Sequence, residues 1–275
     1  MATAPPTSTT DGPSPTNFTN VQTISSSNEY FDVDYSPDGT HVVTAASDGF
    51  VRVWNATTPT NVRSANAISG GEVTSVDWSP DGQYIAAGLD DDTMQIYYAS
   101  NLTSVHGTIS VDVGGGDYVY DVTFNRTATL SQCPSVGLEM EAPTGKFSSS
   151  VSDGSNLHSL NPNSEDRFYA SAFSPDGQFI ALAGNGDFYV ANVTSQQTMS
   201  SVSSPPAAIN NIAWSPDGNY IAMCGGWEGS SASVDMYEYT GSSWSVAWGS
   251  KPPPPSSLNS AQTAVISPRI VLYGR

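Results

Sequence analysis

An all-β fold built from repeated four-stranded units, closed like the blades of a propeller, is predicted by three features of the chain. The tetrapeptide SPDG occurs four times, starting at Ser36, Ser79, Ser174 and Ser215. Each copy is flanked by a strand ending in an aromatic residue and a strand of aromatic-aliphatic-alanine pattern. The intervals between copies imply a period in the forties, with one worn copy in the middle of the chain.

The turn comes first because it sets the register of everything else. Serine at the first position, proline at the second and glycine at the fourth are the preferences of a tight type I reversal. The flanks agree in "VTSVDWSPDGQYIAAG" (73–88), "YASAFSPDGQFIALAG" (169–184) and "INNIAWSPDGNYIAMC" (209–224). The strand after each turn is apolar at nearly every residue, as expected when both its faces are covered. A third strand follows a short Gly/Asp loop: "GFVRVWN", "TMQIYYAS", "DFYVANV" and "SVDMYEY". The worn copy is "VYDVTFNRTATLSQC" (119–133), where Phe124 stands for Trp78 and Asn125-Arg126-Thr127 replaces Ser-Pro-Asp. Taking residues 36, 79, 125, 174 and 215 as references, the steps are 43, 46, 49 and 41 residues, and a half-copy follows at Ser267. Self-similarity at this period reads as a propeller.

With these repeats in hand, the chain resembles the WD40-repeat family. "FDVDYSPDGTHVVTAASDGFVRVWN" follows the family's strand–turn–strand pattern nearly throughout, with Asn55 where the family has the Asp of Trp-Asp. No Gly-His pair precedes the first strand of any unit. The six reference positions imply about six blades, the last incomplete, with the five full ones near residues 31–71, 72–116, 117–166, 167–206 and 207–256. The sixth would combine 257–275 with a strand at 20–27, which hides an edge that would otherwise invite pairing. Residues 1–19, rich in Ser, Thr and Pro, are expected to form an extended arm.

Composition narrows the function. The 275 residues carry 26 acids against 8 bases, a net charge of −18. Such a surface repels phosphate backbones and anionic lipid, so nucleic acid is not expected as a partner. No apolar run reaches the length of a membrane span, and no secretory leader is visible at the start. Cys133 and Cys224 fit no metal spacing; a disulfide between them is a candidate only.

No catalytic constellation can be assembled, so no enzyme activity and no cofactor are expected. His41, His106 and His158 are read as a second-strand, an outer-hairpin and a loop residue. "GLDDDT" (88–93) lacks the spacing of a calcium loop, and Gly114–Gly116 opens no phosphate-binding helix. Asp32, Asp34, Asp77 and Asp121 fall on innermost strands and are expected to make a central channel acidic.

Asn-x-Thr occurs at Asn17, Asn55, Asn101, Asn125 and Asn192, more often than 17 Asn and 24 Thr would give by chance. Asn55, Asn101 and Asn192 fall at the turn between the third and outermost strands, exposed in a propeller and open to a glycan. The bland alternative is that Asn and Thr are simply good turn residues. The resulting expectation is an extracellular or cell-surface N-glycoprotein with a structural or adhesive role. It would associate with itself, as the repeating subunit of a filament, or with other surface proteins. The alternative is an intracellular WD40 scaffold that gathers protein partners.

Overall fold

The computed structural model describes residue 23 and residues 27–58, 60–110, 119–125, 136–140, 145–148, 157–160, 168–184, 187–193, 195, 197–203, 209–225, 233–239 and 244–248. Among them there is no helix, and twenty strands form five four-stranded antiparallel sheets. Blade one is β1 (Tyr30–Tyr35), β2 (His41–Ala46), β3 (Phe50–Asn55) and β4 (Asn61–Asn66). Blade two is β5 (Val73–Trp78), β6 (Tyr84–Leu89), β7 (Thr93–Tyr98) and β8 (Ser104–Ser110). Blade three is β9 (Val119–Phe124), β10 (Val136–Met140), β11 (Gly145–Ser148) and β12 (Leu157–Leu160). Blade four is β13 (Phe168–Phe173), β14 (Phe179–Gly184), β15 (Asp187–Asn192) and β16 (Gln197–Ser203). Blade five is β17 (Ile209–Trp214), β18 (Tyr220–Gly225), β19 (Ser233–Tyr239) and β20 (Trp244–Trp248).

Strands follow chain order within every sheet. The first strand of each blade lies against the first strand of the next, from β1 through β5, β9 and β13 to β17, so these are the innermost strands. Each SPDG turn joins the two innermost strands of its blade. The expected sixth unit lies outside the described residues, apart from Thr23 and Ser27. No contact of similar extent joins β17 back to β1. Tyr35, at the end of β1, is accordingly 58% exposed, whereas its equivalents Trp78 and Phe124 are 4% and 1% exposed.

The apolar core sits between blades rather than within them. Val43 and Ala45 of β2 and Val51 and Val53 of β3 pack against Val73, Val76 and Trp78 of β5 and Ile85, Ala87 and Leu89 of β6. On the other face of blade two, Ala86, Met94 and Ile96 pack against Val119, Val122 and Phe124. The second strand of blade two is therefore apolar on both faces, and the reason for its small residues is close approach. A Cβ on Gly88 would lie 2.8 Å from Val119 Cγ1 and 3.1 Å from the Val119 carbonyl oxygen.

The joints carry polar bonds as well. Numbering each innermost strand from one to six, positions three and five are Asp32 and Asp34 in β1, Ser75 and Asp77 in β5, Asp121 and Thr123 in β9. Asp32 Oδ2 accepts from the Val76 N–H (3.0 Å) and the Ser75 hydroxyl (2.9 Å). Asp34 Oδ2 accepts from the Trp78 N–H at 2.9 Å, and Asp77 Oδ2 from the Phe124 N–H at 2.5 Å. Asp121 Oδ2 accepts from the Ser171 N–H (3.1 Å) and hydroxyl (2.8 Å). Ser75 Oγ accepts from the Val122 N–H at 3.2 Å. These acids do not face a channel. Asp32, Asp77 and Asp121 are buried, Asp34 is half-buried, and each is spent on backbone donors of the following blade. At the fourth joint, positions three and five are Ala170 and Ala172, and the Trp214 indole N–H donates to the Ala172 carbonyl at 2.9 Å instead.

Asp77→Ala leaves the buried Phe124 N–H without its acceptor and is expected to cost about 1–3 kcal/mol of stability. Asp77→Asn keeps an acceptor oxygen and should retain most of it. Urea unfolding with an unchanged slope checks both; equal losses in the two variants would contradict the assignment.

Candidate functional site: two unlike faces of the disc

Along each blade the chain reverses at the SPDG turn, again between the second and third strands, and again between the third and fourth. The first and third reversals therefore emerge at the same end of the sheet. Backbone bonds tie them together: Ala56 N–H to the Thr40 carbonyl (2.9 Å), Ala99 to Gln83 (2.8 Å), Val193 to Gln178 (2.9 Å) and Tyr239 to Asn219 (3.0 Å). One face of the disc thus carries both the SPDG turns and the turns that hold Asn55, Asn101 and Asn192.

The SPDG turn is built the same way each time. The serine hydroxyl donates to the aspartate two residues on, at 2.6 Å in Ser36–Asp38, Ser79–Asp81 and Ser174–Asp176 and at 2.5 Å in Ser215–Asp217. The glycine N–H closes back on the serine carbonyl at 2.8–2.9 Å, with φ of +68° to +74° at Gly39, Gly82, Gly177 and Gly218. Glycine is required there by that left-handed backbone. Neighbouring turns touch. A Cβ on Gly82 would meet Pro37 Cδ at 3.9 Å, and one on Gly218 would meet Pro175 Cδ at 3.7 Å.

Asn125, in the turn that lost its SPDG, serves this ring too. It is 7% exposed, and its Nδ2 donates to the Gly177 carbonyl of the next turn at 2.9 Å. The nitrogen to which a glycan would attach is thereby enclosed. Asn55 and Asn192 are half-buried at the ends of β3 and β15, equivalent positions in their blades, and Asn101 is exposed between β7 and β8. Asn17 lies outside the described residues.

The threonine of the sequon has a local role that its spacing alone did not disclose. Asn55 Oδ1 accepts from the Thr57 N–H (2.9 Å) and hydroxyl (2.7 Å). Asn101 Oδ1 accepts from the Thr103 N–H (2.9 Å) and hydroxyl (2.8 Å). Asn192 Oδ1 accepts from the Ser195 N–H at 2.8 Å. The first two are Asx turns, so the turn alone accounts for a threonine two residues on at Asn55 and Asn101.

The opposite face is made differently. At its N-terminal end every innermost strand carries a register shift against its partner. Such a bulge re-aims the extra side chain. The residues at these shifts are Phe31, Thr74, Tyr120, Tyr169 and Asn210, all half-buried. Tyr120 and Tyr169 meet edge to face at 5.4 Å between ring centroids. Glu29, Glu72 and Asp90 stand at the same end. Burial, and then the charges of Asp90 and Glu29, push the Glu72 carboxyl up from its ordinary value. Asp48 holds Arg52 through both guanidinium NH₂ groups (2.9 and 2.5 Å) and accepts from Asn28 Nδ2; the Arg52 bond holds its carboxyl below the ordinary range.

The remaining sequence candidates are scattered. His41 is in β2, its ring 6.4 Å from Trp78 across the first joint. His106 is in β8, and His158 lies in strand β12 rather than in a loop. Cys224 is exposed on β18, its thiol pushed up by desolvation; Cys133 lies outside the described residues. No group of three or more His, Cys, Asp or Glu able to hold a metal occurs among the described residues, and they contain no helix long and apolar enough to cross a membrane.

Comparison with known proteins agrees with this architecture. The WD domain, G-beta repeat family model matches residues 18–55, 60–97 and 196–230. The β-propeller domain of Myceliophteria thermophila Cps50 (Swd1) superposes with a TM-score of 0.64 at 10% identity, covering 79% of this chain and 70% of that one. A chain of the mitotic checkpoint complex superposes with a TM-score of 0.68 at 13% identity, covering 82% and 66%. No curated protein matches the sequence. The chain carries WD40 repeats in a β-propeller fold.

The Asp38 carboxyl is held down to about 2 from an ordinary 3.8, chiefly by the Ser36 hydroxyl and then by the Thr40 N–H and hydroxyl. A carboxyl lowered on folding stabilises the fold above its ordinary pKa, and that contribution is lost as pH falls from 3.8 through about 2. Carbon-13 NMR should place the Asp38 midpoint near 2, and Ser36→Ala should move it up towards 3.8. A midpoint near 3.8 in the unmutated protein would contradict the turn bonding.

Proposed function

We propose that this chain is a non-catalytic, secreted or cell-surface glycoprotein with a structural or adhesive role. Its propeller bears N-glycans on the SPDG face and meets protein partners, other surface proteins or further copies of itself, on the bulge face. The observation that carries this reading is the position of Asn55, Asn101 and Asn192: all at third-to-fourth strand turns, all on one face, all with Oδ1 held locally. A glycan layer there leaves the opposite face uncovered. The half-buried Phe31, Tyr120 and Tyr169 offer that face apolar area, and Glu29, Glu72 and Asp90 favour a partner carrying positive charge. Self-assembly through the arm at residues 1–19 is part of the proposal, and those residues lie outside the described ones.

A second reading, an intracellular interaction scaffold, is favoured by one specific observation. The Thr57 and Thr103 hydroxyls already serve their turns, so the sequons can exist for turn geometry alone. Intact mass of the native protein before and after N-glycosidase separates the two. The expected result is a mass loss, with peptides containing Asn55, Asn101 and Asn192 converted to Asp and the Asn125 peptide unmodified. No mass change would end the glycoprotein reading and leave the scaffold.

A further inference from the structure

The residue three before the sequon asparagine differs among the three turns. Asn55 is preceded three residues back by Arg52, which is engaged with Asp48. Asn192 is preceded at the same distance by Tyr189, which is 4% exposed. Asn101 is preceded by Tyr98, 43% exposed, one of only five large hydrophobic side chains exposed among the described residues.

The hairpin ties the Asn101 backbone to that of Tyr98. The Asn101 and Leu102 N–H groups both donate to the Tyr98 carbonyl, at 3.3 and 2.8 Å, and the Tyr98 N–H donates to the Thr103 carbonyl at 3.0 Å. Leu102 takes a φ of +54° to make the turn, and its side chain is 5% exposed. A buried side chain anchors the turn while the residues on either side of it stay exposed. Tyr98 is itself backed by Tyr84, with ring centroids 5.7 Å apart and planes at 37°. The Arg63 guanidinium reaches the Ser100 carbonyl at 3.3 Å, adding a further tie to the hairpin. A tight, anchored hairpin thus carries an exposed aromatic ring three residues before an exposed asparagine whose Oδ1 is fixed by Thr103.

We propose that Tyr98, supported by Tyr84, is a carbohydrate platform. The first N-acetylhexosamine of a glycan on Asn101 lays its C–H face against the Tyr98 ring. A pyranose ring presents a face of C–H groups with partial positive charge, and the aromatic face is negative, so the two are complementary. The contact covers an apolar ring that is otherwise wet and orders the attached sugar, so the Asn101 glycan stabilises the fold. At Asn55 and Asn192 the residue three back is Arg52, engaged with Asp48, or the buried Tyr189, and offers no exposed ring. The proposal rests on the N-glycosylation reading and deepens it for one site.

The test uses full-length protein from a secreting eukaryotic host, trimmed by endoglycosidase to a single N-acetylhexosamine per site. Occupancy at Asn101 is first read by peptide mass, and an unoccupied Asn101 overturns the glycan reading itself. With Asn101 occupied, the folding equilibrium constant is compared with and without the sugar (Asn101→Gln) in three backgrounds. Because Asn101→Gln also removes the Thr103 bonds, the sugar is read as a difference between backgrounds: the ratio is expected to be roughly twofold to tenfold larger in the unmutated protein and in Tyr98→Phe than in Tyr98→Thr. An equal ratio in Tyr98→Thr overturns the platform while leaving glycosylation intact. If Tyr98→Thr fails to fold, the N-acetyl and ring proton shifts of the Asn101 sugar decide. Ring-current shifts in the unmutated protein support stacking, and random-coil sugar shifts overturn it.

Discussion

The structure depends on how each innermost strand satisfies its outward-facing backbone. The first strand of a blade has a hydrogen-bonded neighbour on one side only. On the other side its N–H groups at positions four and six face the preceding blade, buried and cut off from water. A buried N–H without an acceptor is costly. At the first two joints, and for the Ser171 N–H at the third, a carboxylate or hydroxyl at position three or five of the preceding blade supplies that acceptor. Apolar packing brings the blades together, and these bonds fix which residue lies opposite which. In β1, which has no described blade before it, the Val33 N–H turns to its own neighbour, Asp32 Oδ1, at 2.8 Å. The fourth joint, with alanines at both acceptor positions, relies on the Trp214 indole and on the aromatic contact of Phe188 with Tyr237, whose centroids are 5.0 Å apart.

The same arrangement gives the disc its polarity. The SPDG turn spends its polar groups on itself, and the first and second turns, like the fourth and fifth, approach closely through proline and glycine, so one face is a belt of reversals. The third-to-fourth strand turns are stitched to that belt and take on its rigidity. At the other end the bulges throw out one extra residue per blade, and only the tyrosine of blades three and four is repeated. Uniform residues belong to construction here. The variable ones, Phe31, Thr74, Tyr120, Tyr169 and Asn210, are what distinguishes this propeller from another with the same turns.

Much of this was legible in the sequence. A type I turn has a strong signature, and the flanking strands kept their pattern even in blade three, where Phe124 and Asn125 stand in for aromatic and turn. The acids at 32, 34, 77 and 121 were placed on the right strands but read as channel-facing. Period-two alternation tells which face a residue takes; it does not tell that a short side chain will reach across a joint to a backbone N–H. In the sequence the sequon threonines fit either a glycan signal or a turn preference. The Asx geometry, in which Thr57 and Thr103 bond back to Oδ1, is invisible until the hairpin is built. The enclosure of Asn125 likewise comes from a neighbouring blade 52 residues on, beyond the reach of any local pattern.

The central claim, that acceptors crossing the joints hold the first four blades as one cooperative body, is tested most directly by native-state hydrogen exchange. The amides of Val76, Trp78, Phe124 and Ser171 are not bonded to a strand of their own sheet through the bonds described, so their protection reports the joints. The account predicts that these four exchange together, with an opening free energy equal to that of global unfolding. Exchange of any of them at rates far faster than global unfolding, while the neighbouring β6 and β10 amides stay protected, would contradict it.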